Sequence, residues 1–440
     1  MPRKEKKSKG VQTSRHVEPK LPGGFRDYGP AEAIARDRVV ITVKRVFEQF
    51  GFMPIDTSSV QRTSVLTGGD TESDKIIFNV KGSREKKGDS SLRFDLTVPL
   101  ARFLAAHPEI PKPFKRYEIG NVWRGESPQA GRYREFLQAD VDIVGSASID
   151  ADSEIVTLMH RIFTTLRIPR FVIAINSRKI LGHLPGFAGF GENKLTDALR
   201  VIDKKDKIGD EGTEKELIAL FDKKTAHKIR DFLTLVGNEL PDTFEGAADI
   251  KTILHRAHEA DIEPSTIRFD PYIVRGLSYY TGAVFEAVLP DLPQIGSVCA
   301  GGRYDNLVAT FTGAPLPAVG ASLGVDRLFA AMESLNMLGK TPSIAQVLIF
   351  NLTPDLYAEY MFFADSLRER NINTMLYVGD DKTFQAQLAY AVRWEAPFAL
   401  IYGEQENKKG VVAVKNLVER TQEEVPKERV IEYMTRLLSP

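Results

Sequence analysis

FKRYEIGNVWRGESPQAGRYREFLQADVDIVG, residues 114–145, is the stretch on which the fold turns. It has the pattern of two strands joined by a polar, arginine-rich loop. On the second strand, period-two alternation sets Phe136, Gln138, Asp140 and Asp142 on one face and Leu137, Ala139, Val141 and Ile143 on the other. One face can pack on a core; the other carries an aromatic ring, an amide and two carboxylates. The first strand and the loop add Arg116, Arg124, Arg132 and Arg134. Fixed cations beside carboxylates suit a ligand that is both phosphorylated and cationic.

Working outward, SLRFDLTVPL (91–100) reads as a strand with Arg93, Asp95 and Thr97 on one face and Leu92, Phe94, Leu96 and Val98 on the other. With strand-like IIFNV (76–80) it suggests a hairpin of an antiparallel sheet, dry on one side and functional on the other. Upstream, Ile34, Val39, Val43, Val46, Phe47 and Phe50 recur at helical spacing, and Gly51 supplies a helix stop. FMPIDTSSV then reads as a strand. Between about Ser177 and Thr266, KLTDALRVIDKKD, TEKELIALF and HKIRDFLTLV are short helical patterns. After SLNMLGKTPSI (334–344) the apolar runs VLIF and TMLYV flank a helix with Leu356, Tyr360, Phe363 and Leu367, begun by Thr353-Pro354. A second helix from about Lys382 to Glu395, then FALIYG, VVAVKNL and a last helix from about Glu428, argue an α/β domain with a largely parallel sheet.

A chain of 440 residues is too long for one ordinary core and implies two or three domains. Its 42% hydrophobic and 27% charged residues are ordinary for a soluble globular protein, and no apolar run is long enough to cross a bilayer. The single cysteine, Cys299, excludes an internal disulfide framework and a cysteine-rich zinc site. The 59 basic and 59 acidic residues cancel, which argues against a general DNA-binding protein but leaves room for local phosphate-binding patches. Residues 1–18 are polar and basic without an apolar segment, so they read as a disordered tail rather than a signal peptide, and a cytoplasmic protein is expected. GFAGFGEN (186–193) lacks the pattern of a phosphate-binding P-loop.

Residues 114–145 resemble the second signature motif of class II aminoacyl-tRNA synthetases, and in detail that of the histidyl-tRNA synthetase family. VRGLSYYTGAVFEAVL (274–289) resembles that family's histidine-specific signature, and AGGRYDNLV (300–308) with PAVGASLGVDRL (317–328) its approach to the third motif. The resemblance implies an α+β fold: a six- to seven-stranded antiparallel catalytic sheet (19–176 and 267–333), a helical insertion (177–266), a linker (334–344) and a C-terminal α/β anticodon-binding domain (345–440). It implies a homodimer built on the first motif, where Ser58 stands in place of the usual proline and Gln61 in place of the usual glutamate.

The implied reaction joins histidine to the α-phosphate of ATP, releases pyrophosphate, and passes the histidyl group to the end of histidine tRNA. Magnesium accompanies ATP without a protein-built metal site. The resemblance puts Arg124 on the α-phosphate, Glu126 on the adenine amino group, Phe136 against the ring and Arg327 on the γ-phosphate, with Arg132 a further ATP contact. Arg275 reaches the α-phosphate from the other side, beside the histidine. Asp95, Thr97 and Gln138 hold the α-amino group, Asp142 and Tyr280 the imidazole nitrogens, and Tyr279 joins them. Gln129 and Arg134 meet the tRNA acceptor end, while Glu404 and Lys415 are candidates for the anticodon by position alone. Ser278 departs from the family's aspartate. The residues also allow a plainer reading for each: a surface ion pair for an arginine, a structural carboxylate paired to arginine for Asp142, core aromatics for Tyr279 and Tyr280. Two non-catalytic relatives of the family stay open here: a histidine- or tRNA-sensing regulatory subunit, which usually lacks the C-terminal domain, and a kinase-linked module, for which no kinase glycine loop is present.

Overall fold

The computed structural model describes residues 17–68, 76–83, 88–126, 133–274 and 279–438. Its centre is an eight-stranded sheet built on a long hairpin, Phe114–Trp123 and Glu135–Val144, in register from Phe114 opposite Val144 to Trp123 opposite Glu135. Ala318–Gly324, Cys299–Arg303, Ala283–Val288 and Val172–Ser177 extend it in that order, all antiparallel. Each edge then carries a short parallel strand, Met53–Pro54 beside the hairpin and Ile267–Phe269 at the far side. The expected antiparallel platform is therefore a run of six strands, with two parallel additions that are too short to read from sequence.

The dry face follows the alternation. Ala139, Val141 and Ile143 pack with Val39, Val43, Val46 and Phe47 of helix Pro30–Gln49 and with Ile155, Met159 and Phe163 of helix Ile149–Thr165. The first helix stops where expected: Gly51 takes φ +76°, a left-handed conformation that glycine adopts without a side-chain clash. Ser148 caps the second by accepting from the Asp150 amide. Helix Val325–Ser334 is tied to both neighbours through Asp326. One carboxylate oxygen accepts from Arg36 Nε at 2.6 Å and from the Tyr28 hydroxyl at 2.9 Å, and the other from the Leu137 amide at 2.8 Å.

SLRFDLTVPL does not continue as a strand. Pairing ends at Ser90–Leu92, and a helix begins at Thr97–Ala106. The reason is local: Asp95 Oδ1 accepts from the Val98 amide at 3.1 Å, a helix-initiating bond, and Pro99 carries no N–H for a ladder. Arg93 accordingly leaves the functional face and is buried. FMPIDTSSV likewise splits, giving Met53–Pro54 to the large sheet and Val60–Arg62 to a small three-stranded sheet with Ser90–Leu92 and Phe78–Val80. The two departures in this segment form one turn: Gln61 Nε2 donates to the Ser58 carbonyl at 2.7 Å, and the Ser58 hydroxyl to the Val60 carbonyl at 2.9 Å. A glutamate could not make the first of these bonds while ionised.

Between Val172–Ser177 and Ile267–Phe269 the three expected helical patterns appear in Leu195–Asp203, Lys205–Leu220 (interrupted at Gly209) and Lys223–Phe232, and the chain adds a helix not read from sequence, Ala247–Glu259. Their buried Ile202, Leu217, Ile229, Phe232 and Ile253 join the same apolar core as the sheet.

Residues beyond Val347 form a second sheet in the order Thr374–Leu376, Val347–Ile349, Phe398–Ile401, Val411–Asn416 and Thr421–Pro426. The first three strands are parallel and the last two antiparallel. The sequence reading therefore holds for the parallel half and misses Thr421–Pro426, whose TQEEVP exposes every residue but Val425 and so lacks an apolar signal. Helices Tyr357–Arg368, Phe384–Arg393 and Val430–Leu438 match expectation. Tyr360, Phe363, Leu367, Tyr402 and Met434 form a core of this region's own.

Removing Asp326 leaves Arg36, Tyr28 and the Leu137 amide without their shared acceptor. Urea denaturation of Asp326→Ala is expected to show a loss of about 3 kcal/mol. Arg36→Ala should lose less, because Arg36 retains contact with water.

Candidate active site

The polar face of the sheet is ordered in rows across the strands. In one row Arg116, Asp142, Gly320 and Gly302 are neighbours; in the next, Glu118, Asp140, Ser322, Ala300 and Glu286; in a third, Gly120, Gln138 and Gly324. A cavity of about 400 Å³ opens on this face. Asp95, Thr97, Arg124, Glu126, Phe136, Gln138, Asp142, Tyr279, Tyr280 and Arg327 all line it, so ten of the residues expected from sequence meet at one place.

Two glycines make the rows possible. A Cβ on Gly320 would lie 1.9 Å from Asp142 Oδ1, and one on Gly120 would lie 2.2 Å from the Arg93 guanidinium. Both positions are vacated so that charged groups can lie flat across the sheet.

Arg116 has no exposed surface, and its Nη2 lies 2.6 Å from Asp142 Oδ2. The Tyr304 hydroxyl donates to the other Asp142 oxygen. Alongside, Glu118 accepts from Arg93 Nη1 at 2.7 Å, the Thr57 amide at 3.0 Å and the Thr57 hydroxyl at 2.9 Å. Asp142 thus has the arginine partner that the plainer reading foresaw, and it still faces the cavity. Sequence reasoning left Arg116 in the loop group and gave no place to Tyr304; only the register of the two strands joins them.

Among the described residues, Asp95 Oδ2, Asp140 Oδ1 and Gln138 Oε1 line the cavity without a hydrogen-bond donor, and Asp142 Oδ2 has only its ion pair with Arg116. Burial raises the Asp95 carboxyl to about 6, against the Val98 amide and the cations Arg124 and Arg116. Burial raises Asp140 further, to about 8; Arg116 opposes the shift, while Asp142 and Asp95 add to it. Asp142 is also raised, mainly by burial, though Arg116 and Tyr304 pull it back. Burial pushes up the Tyr280 hydroxyl, with Asp142, Asp140 and Asp95 contributing. Cys299, deep in the same wall, is pushed up by burial and by Asp140 and stays a thiol.

Two cations line the same cavity. Arg124 Nε donates to the Phe94 carbonyl at 3.0 Å, and its guanidinium lies 5.1 Å from the Phe136 ring centre. Arg327, in the first turn of its helix, donates to the Ser297 carbonyl. Arg134 is not among the cavity-lining residues: it reaches back to the Glu126 carbonyl at 3.1 Å and to the Gly23 carbonyl at 3.4 Å. Glu404 begins a short helix and Lys415 lies in a strand of the second sheet. Gln129, Arg132, Arg275 and Ser278 lie outside the described residues, as does most of the basic N-terminal tail.

An antiparallel platform whose polar face gathers arginines and carboxylates into one cavity is the arrangement of a class II aminoacyl-tRNA synthetase. Residues 24–328 match the histidyl-tRNA synthetase family and residues 346–437 the anticodon binding domain, and the chain belongs to the histidyl-tRNA synthetase family. It is 39% identical to a histidine–tRNA ligase of Wolinella succinogenes over 91% of this chain and 94% of that one. It is 40% identical to a histidine–tRNA ligase of Rhodopirellula baltica over 93% of this chain and 96% of that one. A solved histidyl-tRNA synthetase from Nostoc sp. superposes with a TM-score of 0.85 at 29% identity, covering 96% of this chain and all of that one.

Gly320→Ala drives a methyl group into the Asp142 carboxylate. Thermal unfolding should register a loss of about 1–3 kcal/mol, the usual effect of overpacking a close contact. Equal stability of the variant and parent would show that Asp142 can move aside freely.

Proposed function

We infer that this protein is a histidine–tRNA ligase: it activates histidine with ATP and transfers the histidyl group to the 3′ end of histidine tRNA. The observation that carries the reading is the meeting of Arg124 and Arg327 with the acceptor-lined carboxylate floor in a single cavity. Near-complete likeness to histidine–tRNA ligases supports it.

In the first step a histidine carboxylate oxygen attacks the α-phosphorus of ATP, the bond to the bridging oxygen breaks, and pyrophosphate leaves. Negative charge accumulates around phosphorus, so fixed cations lower the barrier. Arg124 binds the α-phosphate, held in place by the Phe94 carbonyl and the Phe136 ring; arginine suits the task because its planar fork stays charged. Arg327 binds the γ-phosphate. Arg275 acts on the α-phosphate by its motif, and Arg132 is a further ATP contact. Glu126 and Phe136 receive the adenine. Magnesium would arrive with the nucleotide, bound to its phosphates rather than in a site built by the protein.

Histidine lies toward the floor. Asp95, Thr97 and Gln138 receive its α-amino group; Asp142 and Tyr280, with Tyr279, receive the imidazole. Arg116 and Tyr304 fix the Asp142 carboxylate, so its direction is set before substrate arrives. A site that hydrogen-bonds its substrate rejects analogues lacking those groups by about 10⁴–10⁵, enough to dispense with editing. In the second step the terminal ribose oxygen of tRNA attacks the activated carbonyl and AMP leaves. Gln129 and Arg134 meet the acceptor end, and the C-terminal sheet takes the anticodon.

Exposed Ile41, Met53 and Val60 on the first helix and the strands after it support a homodimer formed there. Among the described residues no helix is long and apolar enough to cross a membrane. A cytoplasmic enzyme agrees with this.

Histidine-dependent ATP–pyrophosphate exchange and charging of histidine tRNA test the reading together. Both should be present in the purified protein; tRNA binding without exchange would instead mark a non-catalytic relative. Arg124→Ala and Arg327→Ala should each lower the exchange rate about 10²–10³-fold. If either variant keeps parental exchange, its assigned phosphate contact is wrong.

A further inference from the structure

Asp140 has no part in the account above, yet it sits in the middle of the floor. It is 2% exposed, lines the cavity, and leaves Oδ1 without a donor. The sheet rows explain its isolation. Glu118, its neighbour on one side, is occupied by Arg93 and Thr57. Ser322, its neighbour on the other, receives Gln138 Nε2 at 2.6 Å and lowers the Asp140 carboxyl less than burial raises it. Arg116, the cation in the adjacent row, is bonded to Asp142. Cys299, Tyr280 and Asp95 complete its charged or titratable surroundings, and none brings a positive charge.

The unpartnered acceptors of the cavity floor can be compared with what a ligand would offer. Asp95 Oδ2, Gln138 Oε1 and Asp140 Oδ1 are buried oxygens without donors. A primary ammonium presents three N–H donors and no acceptor. Neutral imidazole presents a single donor.

We propose that Asp140 is a substrate-binding residue, and that its carboxylate, with Asp95 and Gln138, forms a three-acceptor seat for the α-ammonium group of the amino acid. This deepens the reading of the protein as a histidine-activating enzyme and rests on it. Because Asp140 in the empty site holds a proton near neutrality, and an ammonium binds the ionised form, seating the ammonium releases that proton. Affinity for histidine therefore rises as pH is raised from about 6 to 8. In the empty protein the sign is opposite. A raised carboxyl gives stability that is full below its unfolded value and lost as pH climbs through its folded value.

Calorimetric binding to the full-length protein provides the test. Three ligands are used: histidine, histidinol, which keeps the ammonium and loses the carboxylate, and imidazole propionate, which keeps the ring and the carboxylate and loses the ammonium. Asp140→Asn should weaken histidine and histidinol about 10- to 100-fold and leave imidazole propionate and the KM for ATP unchanged. Parallel weakening of all three ligands means a structural role, and parental affinity for all three means no role; either overturns the proposal. A second measurement needs no variant. Histidine titrated into the parent protein at pH 7 in buffers of different ionisation enthalpy should release roughly one proton, and release of none overturns the proposal. If the parent shows no histidine-dependent pyrophosphate exchange, the functional reading itself fails, a result distinct from either of these.

Discussion

The guanidinium of Arg116 lies wholly inside the protein, on the face of a sheet, next to the Asp142 carboxylate that faces the cavity. An arginine cannot give up its proton there, so its charge must be met by fixed carboxylates or the fold loses several kcal/mol. Glu118 and Asp142 meet it, and each is in turn held by further groups: Thr57 and Arg93 for Glu118, Tyr304 for Asp142. The need to satisfy that one cation reaches the segment after the first helix, the start of the Thr97–Ala106 helix and the strand after Ala283–Val288. It also explains why Gly320 and Gly120 have no side chains. The pocket floor is the upper surface of this buried network.

The distribution of charge over the site follows from the same arrangement. On the floor, the carboxylates Asp95, Asp140 and Asp142 outnumber the one arginine directly paired to them, and burial raises all three carboxyls. Arg124 and Arg327 line the same cavity. On the proposed reading, the ammonium of an amino acid is drawn to the carboxylates of the floor and its carboxylate to the arginines, which is the positional part of catalysis.

Helix Val325–Ser334 shows how the platform is joined to the rest of the chain. Asp326 binds Arg36 of the first helix, Tyr28 before it and the backbone of the central hairpin, while the next residue, Arg327, faces the cavity. Adjacent residues therefore serve anchoring and chemistry. A shift of the first helix, which carries exposed Ile41, would be felt at the cavity-lining Arg327 through this one carboxylate.

Much of this was legible in the chain itself. The strict alternation of residues 136–143 set which face of the strand would be dry, because side chains on a pleated strand must alternate, and the helical spacing of Val39, Val43, Val46 and Phe47 set the surface that covers it. Motif residues separated by as many as 232 positions, from Asp95 to Arg327, could be expected in one cleft, and they line one cavity. What the chain could not announce was who pairs with whom. Strand register alone puts Arg116 opposite Asp142 and Asp140 between Glu118 and Ser322, and a one-residue slip would undo every such pair. Residues 95–99 had the alternation of a strand and folded as a helix start, because one side-chain hydrogen bond and one proline outweigh a short apolar pattern. The sequence by itself determined the faces and the chemistry available on them; the tertiary structure decided which charges are matched and which are left waiting for a ligand, since pairing depends on distances across strands that no linear pattern contains.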